Sequence, residues 1–261
     1  MNRRLQWIGS ALALILLITA GCGGSQTATP SAVDLSEIKT QIEAEEYQAA
    51  AQALEEVVAE NEQNAEAYFL LGLSYFNLNQ YQKARDAFNR ALELDSERAA
   101  AIHHNLGALA YQMGDIETAE AEFKAALETE PDDPDTHYQL GATYLVKALP
   151  ANSQMPDPEM LEMARAEFER ALELAPGKAE ALVGLGNSYL LENRLDDAIE
   201  TLEEAIDANP EMPEALFALG RAYALAGQTE EARETLERFL DTDPPAVWAQ
   251  QAQQLLDQIG E

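Results

Sequence analysis

Residues 65–98 read AEAYFLLGLSYFNLNQYQKARDAFNRALELDSER. Tyr68, Leu71, Tyr75 and Leu78 follow one another at intervals of three and four, the period of an amphipathic helix. A second stretch of the same period runs from about Gln82 to Leu94. Gly72 on the first helix, with Ala84 and Ala91 on the second, is small enough to let two helix backbones approach closely. The stretch predicts a pair of packed helices joined by a short turn.

The same pattern returns on both sides. Leu-Gly pairs fall at Leu71-Gly72, Leu106-Gly107, Leu140-Gly141, Leu185-Gly186 and Leu219-Gly220, with glycine spacings of 35, 34, 45 and 34 residues. Alanine followed four residues later by Phe or Leu runs Ala50/Leu54, Ala84/Phe88, Ala119/Phe123, Ala164/Phe168, Ala198/Leu202 and Ala232/Leu236. Tyr75, Tyr144, Tyr189 and Tyr223 keep the same register, as do Pro131, Pro176, Pro210 and Pro244, which end the second helix and reset the chain. One helical pair cannot bury both of its faces, so successive pairs must stack.

These series resemble the tetratricopeptide repeat. The resemblance covers residues 65 to 246 and, with a degenerate first copy, reaches back to about residue 31. It implies an all-α solenoid of helix-turn-helix pairs. The copies fall at about 31–64, 65–98, 100–133, 134–178, 179–212 and 213–246, followed by a capping helix at 247–259.

The departures from period carry information. One extra residue lies between pairs, around Ala99, where a longer turn costs little. Eleven extra residues lie inside one pair, in the segment KALPANSQMPDPEM at 147–160, whose three prolines and lack of periodicity predict a surface loop. The first copy lacks the Leu-Gly pair but keeps Leu35, Ile38, Ile42, Tyr47 and Ala50, as a terminal repeat does. At the far end Trp248, Ala249, Ala252, Leu255, Leu256 and Ile259 form one apolar stripe, backed by Gln250, Gln251, Gln253, Gln254 and Gln258. Such a helix covers the seam that the last repeat would otherwise expose.

The first residues belong to no repeat. Arg3 and Arg4 precede an apolar run from Trp7 to Ala20, too short for a comfortable membrane span and placed where a secretory signal has its core. The run closes on Thr19-Ala20-Gly21-Cys22, which resembles the lipobox of bacterial lipoprotein signal peptides, with Thr19 in place of the usual leucine. That resemblance implies a signal peptide at 1–21, cleavage before Cys22, and lipidation of that cysteine. Several acyl chains then give stable anchoring. Cys22 and the linker to residue 33 (GGSQTATPSAV after the cysteine) would tether the solenoid at 34–261, with a reach of about 18 Å as a flexible coil. Gly23 after the cysteine is similar to outer-membrane sorting in Gram-negative cells, which would place the protein on the periplasmic face of that membrane.

Composition narrows the function. The chain holds 16 Lys plus Arg against 47 Asp plus Glu, a net charge of -31. Removal of the first 21 residues leaves 14 basic residues against 47 acidic ones, or -33. Such a surface cannot displace counterions from phosphates, so nucleic acid is excluded as a partner, and an anionic body stands off an anionic membrane. Adaptation to high salt would also favour this charge. With a single cysteine, neither a disulfide framework nor a thiolate metal site is available. There is no phosphate loop, G-x-S-x-G, H-E-x-x-H or calcium-loop signature, and no acid–base pair stands out among so many carboxylates. No catalytic residue, metal or cofactor is expected. His103 and His137 take the repeat position that the family fills with tryptophan, which implies packing between the paired helices, while His104 points elsewhere.

In the resembled family the first helix of each pair lines a concave groove. Carried over by register, position 5 is Phe69, His104, Tyr138, Val183 and Phe217. Position 9 is Leu73, Ala108, Ala142, Asn187 and Arg221, and position 12 is Phe76, Tyr111, Leu145, Leu190 and Ala224. Position 2, the rim, is Glu66, Ala101, Asp135, Glu180 and Glu214. The expected binding groove therefore has an aromatic and aliphatic floor at Phe69, Leu73, Phe76, His104, Tyr111, Tyr138, Leu145 and Phe217, with Arg221 beside it. Carboxylates at Glu66, Asp135, Glu180 and Glu214 form its rim. Only Asn187 and Arg221 match the basic and amide residues of the family's clamp for acidic C-terminal peptides, so that use is excluded.

The expected protein is a non-enzymatic, monomeric, lipid-anchored scaffold. Its groove takes an amphipathic or extended segment of a partner with apolar anchors and Lys or Arg at the margin. The resemblance to tetratricopeptide lipoproteins that assist envelope machines, such as those of type IV pili, points to envelope-complex subunits as partners. A self-assembling structural protein is the alternative reading; an enzyme with a site on the 147–160 loop or across repeats is a further one.

Overall fold

A computed structural model describes residues 35–149 and 155–260. The described residues fall into two compact units, one ending at Leu94 and the other beginning at Asp95. Among the described residues there are thirteen α-helices, one short 3-10 turn and no strand.

The first unit contains α1 (Ser36–Glu43), α2 (Tyr47–Glu60), α3 (Ala65–Asn77) and α4 (Tyr81–Leu94), each packed on the next. In the second, Ser96–Arg98 turns into α5 (Ala99–Met113), and the chain continues through α6 (Ile116–Thr129), α7 (Pro134–Lys147) and α8 (Pro158–Leu174). It ends in α9 (Ala179–Leu191), α10 (Leu195–Ala208), α11 (Pro213–Ala226), α12 (Thr229–Asp241) and α13 (Ala246–Ile259). Because α8 begins at Pro158, the last three residues of the expected loop are helical. Pro158 sits in the first turn, where its missing N–H costs nothing, and Asp157 caps that turn by accepting from Glu159 N at 2.9 Å.

The small residues of the repeat serve side chains more than backbones. A Cβ at Gly72 would lie 2.5 Å from Cδ1 of the Phe88 ring, and Gly107 meets Phe123 in the same way at 2.7 Å. Phe168 is held between Gly141 and Gly184, and Leu202 and Leu236 fill the equivalent places against Gly186 and Gly220. Phe88, Phe123, Phe168, Leu202 and Leu236 are all completely buried. The close approach expected of the glycines is thus made chiefly to the bulky residue of the second helix, the one that follows the repeat alanine by four.

The turns follow an equally regular rule. Asn79, Gly114, Asn193 and Gly227, each seven residues after a Leu-Gly glycine, have φ of 58°, 77°, 58° and 75°. This left-handed conformation suits Gly and Asn and reverses the chain between the paired helices. Glu45 does the same between α1 and α2, at φ 60°. Pro131, Pro176 and Pro210 lie just beyond α6, α8 and α10, and the residues before them, Glu130, Ala175 and Asn209, have ψ of 82°, 81° and 93°. A residue before proline is driven out of the helical region, so the second helix stops there.

Tyrosines tie successive pairs together. The Tyr75 hydroxyl on α3 donates to the Glu55 carboxylate on α2, and Tyr223 on α11 donates to Glu203 on α10 at 2.5 Å. His137 meets the Glu167 carboxylate on α8 through Nδ1 at 2.6 Å and the Pro131 carbonyl through Nε2 at 2.9 Å, while His103 Nδ1 meets Glu122 on α6 at 2.7 Å. Both histidines at the tryptophan position therefore bond their paired helix.

Candidate functional site

In the first unit the groove positions lie on α3. Phe69 is half-buried, its ring 5.9 Å from that of Phe88. Leu73 is buried and Phe76 is half-buried, 6.2 Å from Tyr81. Glu66 pairs with Lys39 at 2.7 Å.

The second unit carries the larger part. Here α5 packs on α7, α7 on α9 and α9 on α11, so the first helices form one continuous row. Residues two, five, nine and twelve of each copy fall on one face of these helices. His104 is 5.8 Å from Phe123, Tyr138 is 6.1 Å from Phe168 and Phe217 is 5.1 Å from Phe239. In every copy with an aromatic group at position 5, that ring packs on the core ring beneath it. Tyr111 and Phe217 are buried, and Tyr138 and Leu145 are half-buried.

His104 enters a polar chain. Its Nδ1–H donates to Thr136 Oγ1 at 2.7 Å, and that hydroxyl donates to the Asp133 carboxylate. Asp133 in turn caps α7, accepting from Thr136 N at 3.1 Å. Burial holds the imidazole below its usual value, and Lys178 adds to this, against the pull of Asp133 and Asp135.

Lys178, immediately before α9, shows how a cation sits on this face. Its Nζ lies 2.5 Å from Asp135 Oδ1 and 5.4 Å from the centre of the Tyr138 ring. Asp135 at the rim is therefore satisfied from within the chain. Glu180 and Glu214, in the same position on α9 and α11, have no cation within ion-pair distance among the described residues. Burial, reinforced by the Glu180 charge, raises the Glu214 carboxyl above its usual range against the stabilising pull of its own backbone N–H. Burial pushes the Tyr111 phenol up to about 12. It raises Tyr138 further, with Tyr111, Glu180 and Glu214 contributing.

Arg221 is half-buried on α11, where its guanidinium donates to Asn187 Oδ1 at 3.4 Å. Burial lowers its affinity for the proton. Trp248 is a residue of this face that the repeat register did not assign. It stands edge-on to Phe217 with ring centres 4.9 Å apart, so the capping helix covers the last position 5. Its place, two residues into a helix that starts one repeat length after α11, is the signal that could have found it. Cys22 and residues 1–34 lie outside the described residues, as does the middle of the 147–160 loop.

Three family profiles match the chain. Two, each described as tetratricopeptide repeat, match residues 35–99 with 161–213, and residues 189–259; a third, TPR repeat, matches 109–146. Together they span most of the described chain, and the protein belongs to the tetratricopeptide repeat family. No curated protein matches it in sequence. Among solved structures it is similar to the APC/C hetero-tetramer Cut9–Hcn1, with 18% identity over 87% of this chain and a TM-score of 0.73. The match spans only 42% of that chain's length. PilW, a widely conserved type IV pilus biogenesis factor, gives 19% identity, a TM-score of 0.69, and coverage of 82% of this chain and 94% of PilW. YrrB, a TPR protein with an unusual peptide-binding site, gives 26% identity, a TM-score of 0.56, and coverage of 78% and 99%.

Proposed function

We propose that this protein is a lipid-anchored scaffold, exported and tethered through Cys22, whose first-helix face captures a segment of a partner protein and assists assembly of an envelope complex. The repeats supply a protein-interaction framework, and catalysis plays no part in the reading. The observation that carries it is that first helices of each unit present half-buried aromatic and aliphatic side chains beside carboxylates, Phe69 and Phe76 in the first unit and Tyr138 and Leu145 in the second. Half-buried rings of this kind keep one edge in the core and offer the other to a guest, and aromatic residues dominate binding hot spots. YrrB, with its unusual peptide-binding site, and PilW, a pilus biogenesis factor, are two proteins of this fold in such roles. Envelope-complex subunits with apolar anchors and basic margins are the partners that fit a face of this composition and a chain of this charge.

Crosslinking of the full-length protein in its native envelope, with mass spectrometry of what is captured, tests this. One envelope protein should be recovered with the wild type and lost with Phe69→Ala/Tyr138→Ala, while helical content stays unchanged. Capture that survives the double change contradicts the groove, and adducts between copies alone favour a structural protein.

A further inference from the structure

The polar chain beside His104 decides which of its ring nitrogens carries the proton. Asp133, as a carboxylate, has no hydrogen to give, and it already accepts from the Thr136 and Asp135 amides at 3.1 and 3.3 Å. The Thr136 hydroxyl therefore directs its one hydrogen to Asp133 and turns a lone pair to His104 Nδ1, 2.7 Å away. Only a hydrogen on Nδ1 completes that contact. Asp133 itself lies 3.8 Å from Nδ1, too far to take over the bond. Thr136 is 1% exposed, so water does not compete for its hydroxyl.

With the proton at Nδ1, Nε2 keeps its lone pair. That nitrogen is directed away from Thr136 and takes no partner among the described residues, while 14% of the side chain stays exposed. Phe123 fixes the ring plane, edge-on at 67° with centres 5.8 Å apart. Neither of the other histidines offers the same group: His137 has both nitrogens engaged within the chain, and His103 lies off the groove register, against Glu122. Burial, the largest influence on the ring, and Lys178 before α9 keep a second proton off it, against Asp133 and Asp135 at the start of α7. On α6, Glu122 is taken up by His103, and ahead of α5 Arg98 pairs with Asp95 at 3.1 Å. The imidazole thus stays neutral where a solvated one begins to charge.

We propose that His104 is a fixed hydrogen-bond acceptor on the first-helix face of the second unit: Asp133 and Thr136 lock it as the Nδ1–H tautomer, and Nε2 accepts one N–H of the partner segment. The tautomer depends on the chain alone, whereas the guest rests on the groove reading above. A guest that covers Nε2 with a C–H group leaves a desolvated acceptor unpaired, and one that brings a carbonyl sets two lone pairs against each other. The position therefore selects a donor and fixes the register of the segment on an otherwise apolar floor. Protonation turns Nε2 into a donor and reverses that preference.

Long-range proton–nitrogen correlation spectra of the full-length protein in detergent micelles, isotope-labelled at its three histidines, read the tautomer. The His104 signals, identified by their loss in His104→Phe, should show the hydrogen on Nδ1. Thr136→Val should bring in the Nε2–H form, and Thr136→Ser should not. A wild-type ring with its hydrogen on Nε2 would overturn the proposal. A peptide enriched from a displayed library of random linear sequences then probes the acceptor. His104→Phe, which keeps a ring against Phe123, should weaken that peptide roughly three- to tenfold, the size of a neutral hydrogen bond. Methylating one backbone amide of the peptide, or removing one N–H side chain, should cost the same and not add to the variant; which of the two does so identifies the donor. Wild-type affinity should persist at about pH 6.5, where a solvated histidine is half protonated, and fall in more acid solution. Glu214 also takes up a proton in acid, so the fall is read as the difference from His104→Phe. Equal affinity and equal pH profile in wild type and His104→Phe would overturn the acceptor and leave the groove standing. Recovery of no peptide would overturn the groove reading and the guest with it, whatever the tautomer.

Discussion

Glu214 shows how one residue can work against the fold that carries it. Its carboxyl holds a proton at higher pH in the folded chain than in the unfolded one, owing to burial and then to Glu180. Such a group supports the fold below the ordinary glutamate value, and that support is lost as pH rises through the raised folded value. At neutral pH its charge therefore works against the fold. Glu214→Gln should raise the melting temperature at pH 7, and the gain should vanish as the solution is acidified below about pH 4, where the wild-type carboxyl is neutral in both states. A thermal melt across pH reads this directly; a variant less stable than wild type at pH 7 would contradict it. The same scale shows what a sequence withholds. Glu66, Asp135, Glu180 and Glu214 are alike by register, and only the positions of Lys39 and Lys178 separate the satisfied from the open ones. Lys178 lies 43 residues from Asp135, so no local pattern announces the pair.

Among elements, the helical pair was legible because its signals repeat: an apolar period, a Leu-Gly step, an alanine followed by a bulky residue. The turn between the helices was less visible. Its rule rests on one residue, Asn79, Gly114, Asn193 or Gly227, and the degenerate first copy breaks that rule with Glu45. A glutamate held at φ 60° costs about 1 kcal/mol relative to glycine. Glu45→Gly should therefore stabilise the first unit by about that amount, as measured by chemical denaturation, without altering its helix content. A loss of stability would mean that the Glu45 side chain holds the α1–α2 turn through contacts of its own. The cap helix was also legible, from its Gln face and apolar stripe. Its second role was not: Trp248 over Phe217 joins residues 31 positions apart in the sequence and closes a groove position that the register had left open.

The whole molecule pairs a surface of -31 net charge with a small set of basic side chains placed mainly in internal ion pairs. Long-range fields from such a surface attract cationic segments and speed their arrival, and short-range selection is left to the groove. The all-helical repeat fold followed from the spacings and the family resemblance they carry, because each spacing is a local constraint met many times. The division into units at residue 94 did not, since the sequence there differs from a regular boundary by only one residue near Ala99.

The central claim is that the row of first helices is the surface that meets the partner. It is tested most directly by site-specific photocrosslinking in the native envelope, with a photoreactive side chain placed at Leu145 on this face and, separately, at the exposed Glu169 on α8. The account predicts one discrete adduct with another envelope protein from position 145 and none from 169. The same adducts from both positions, or adducts from 169 alone, would contradict it.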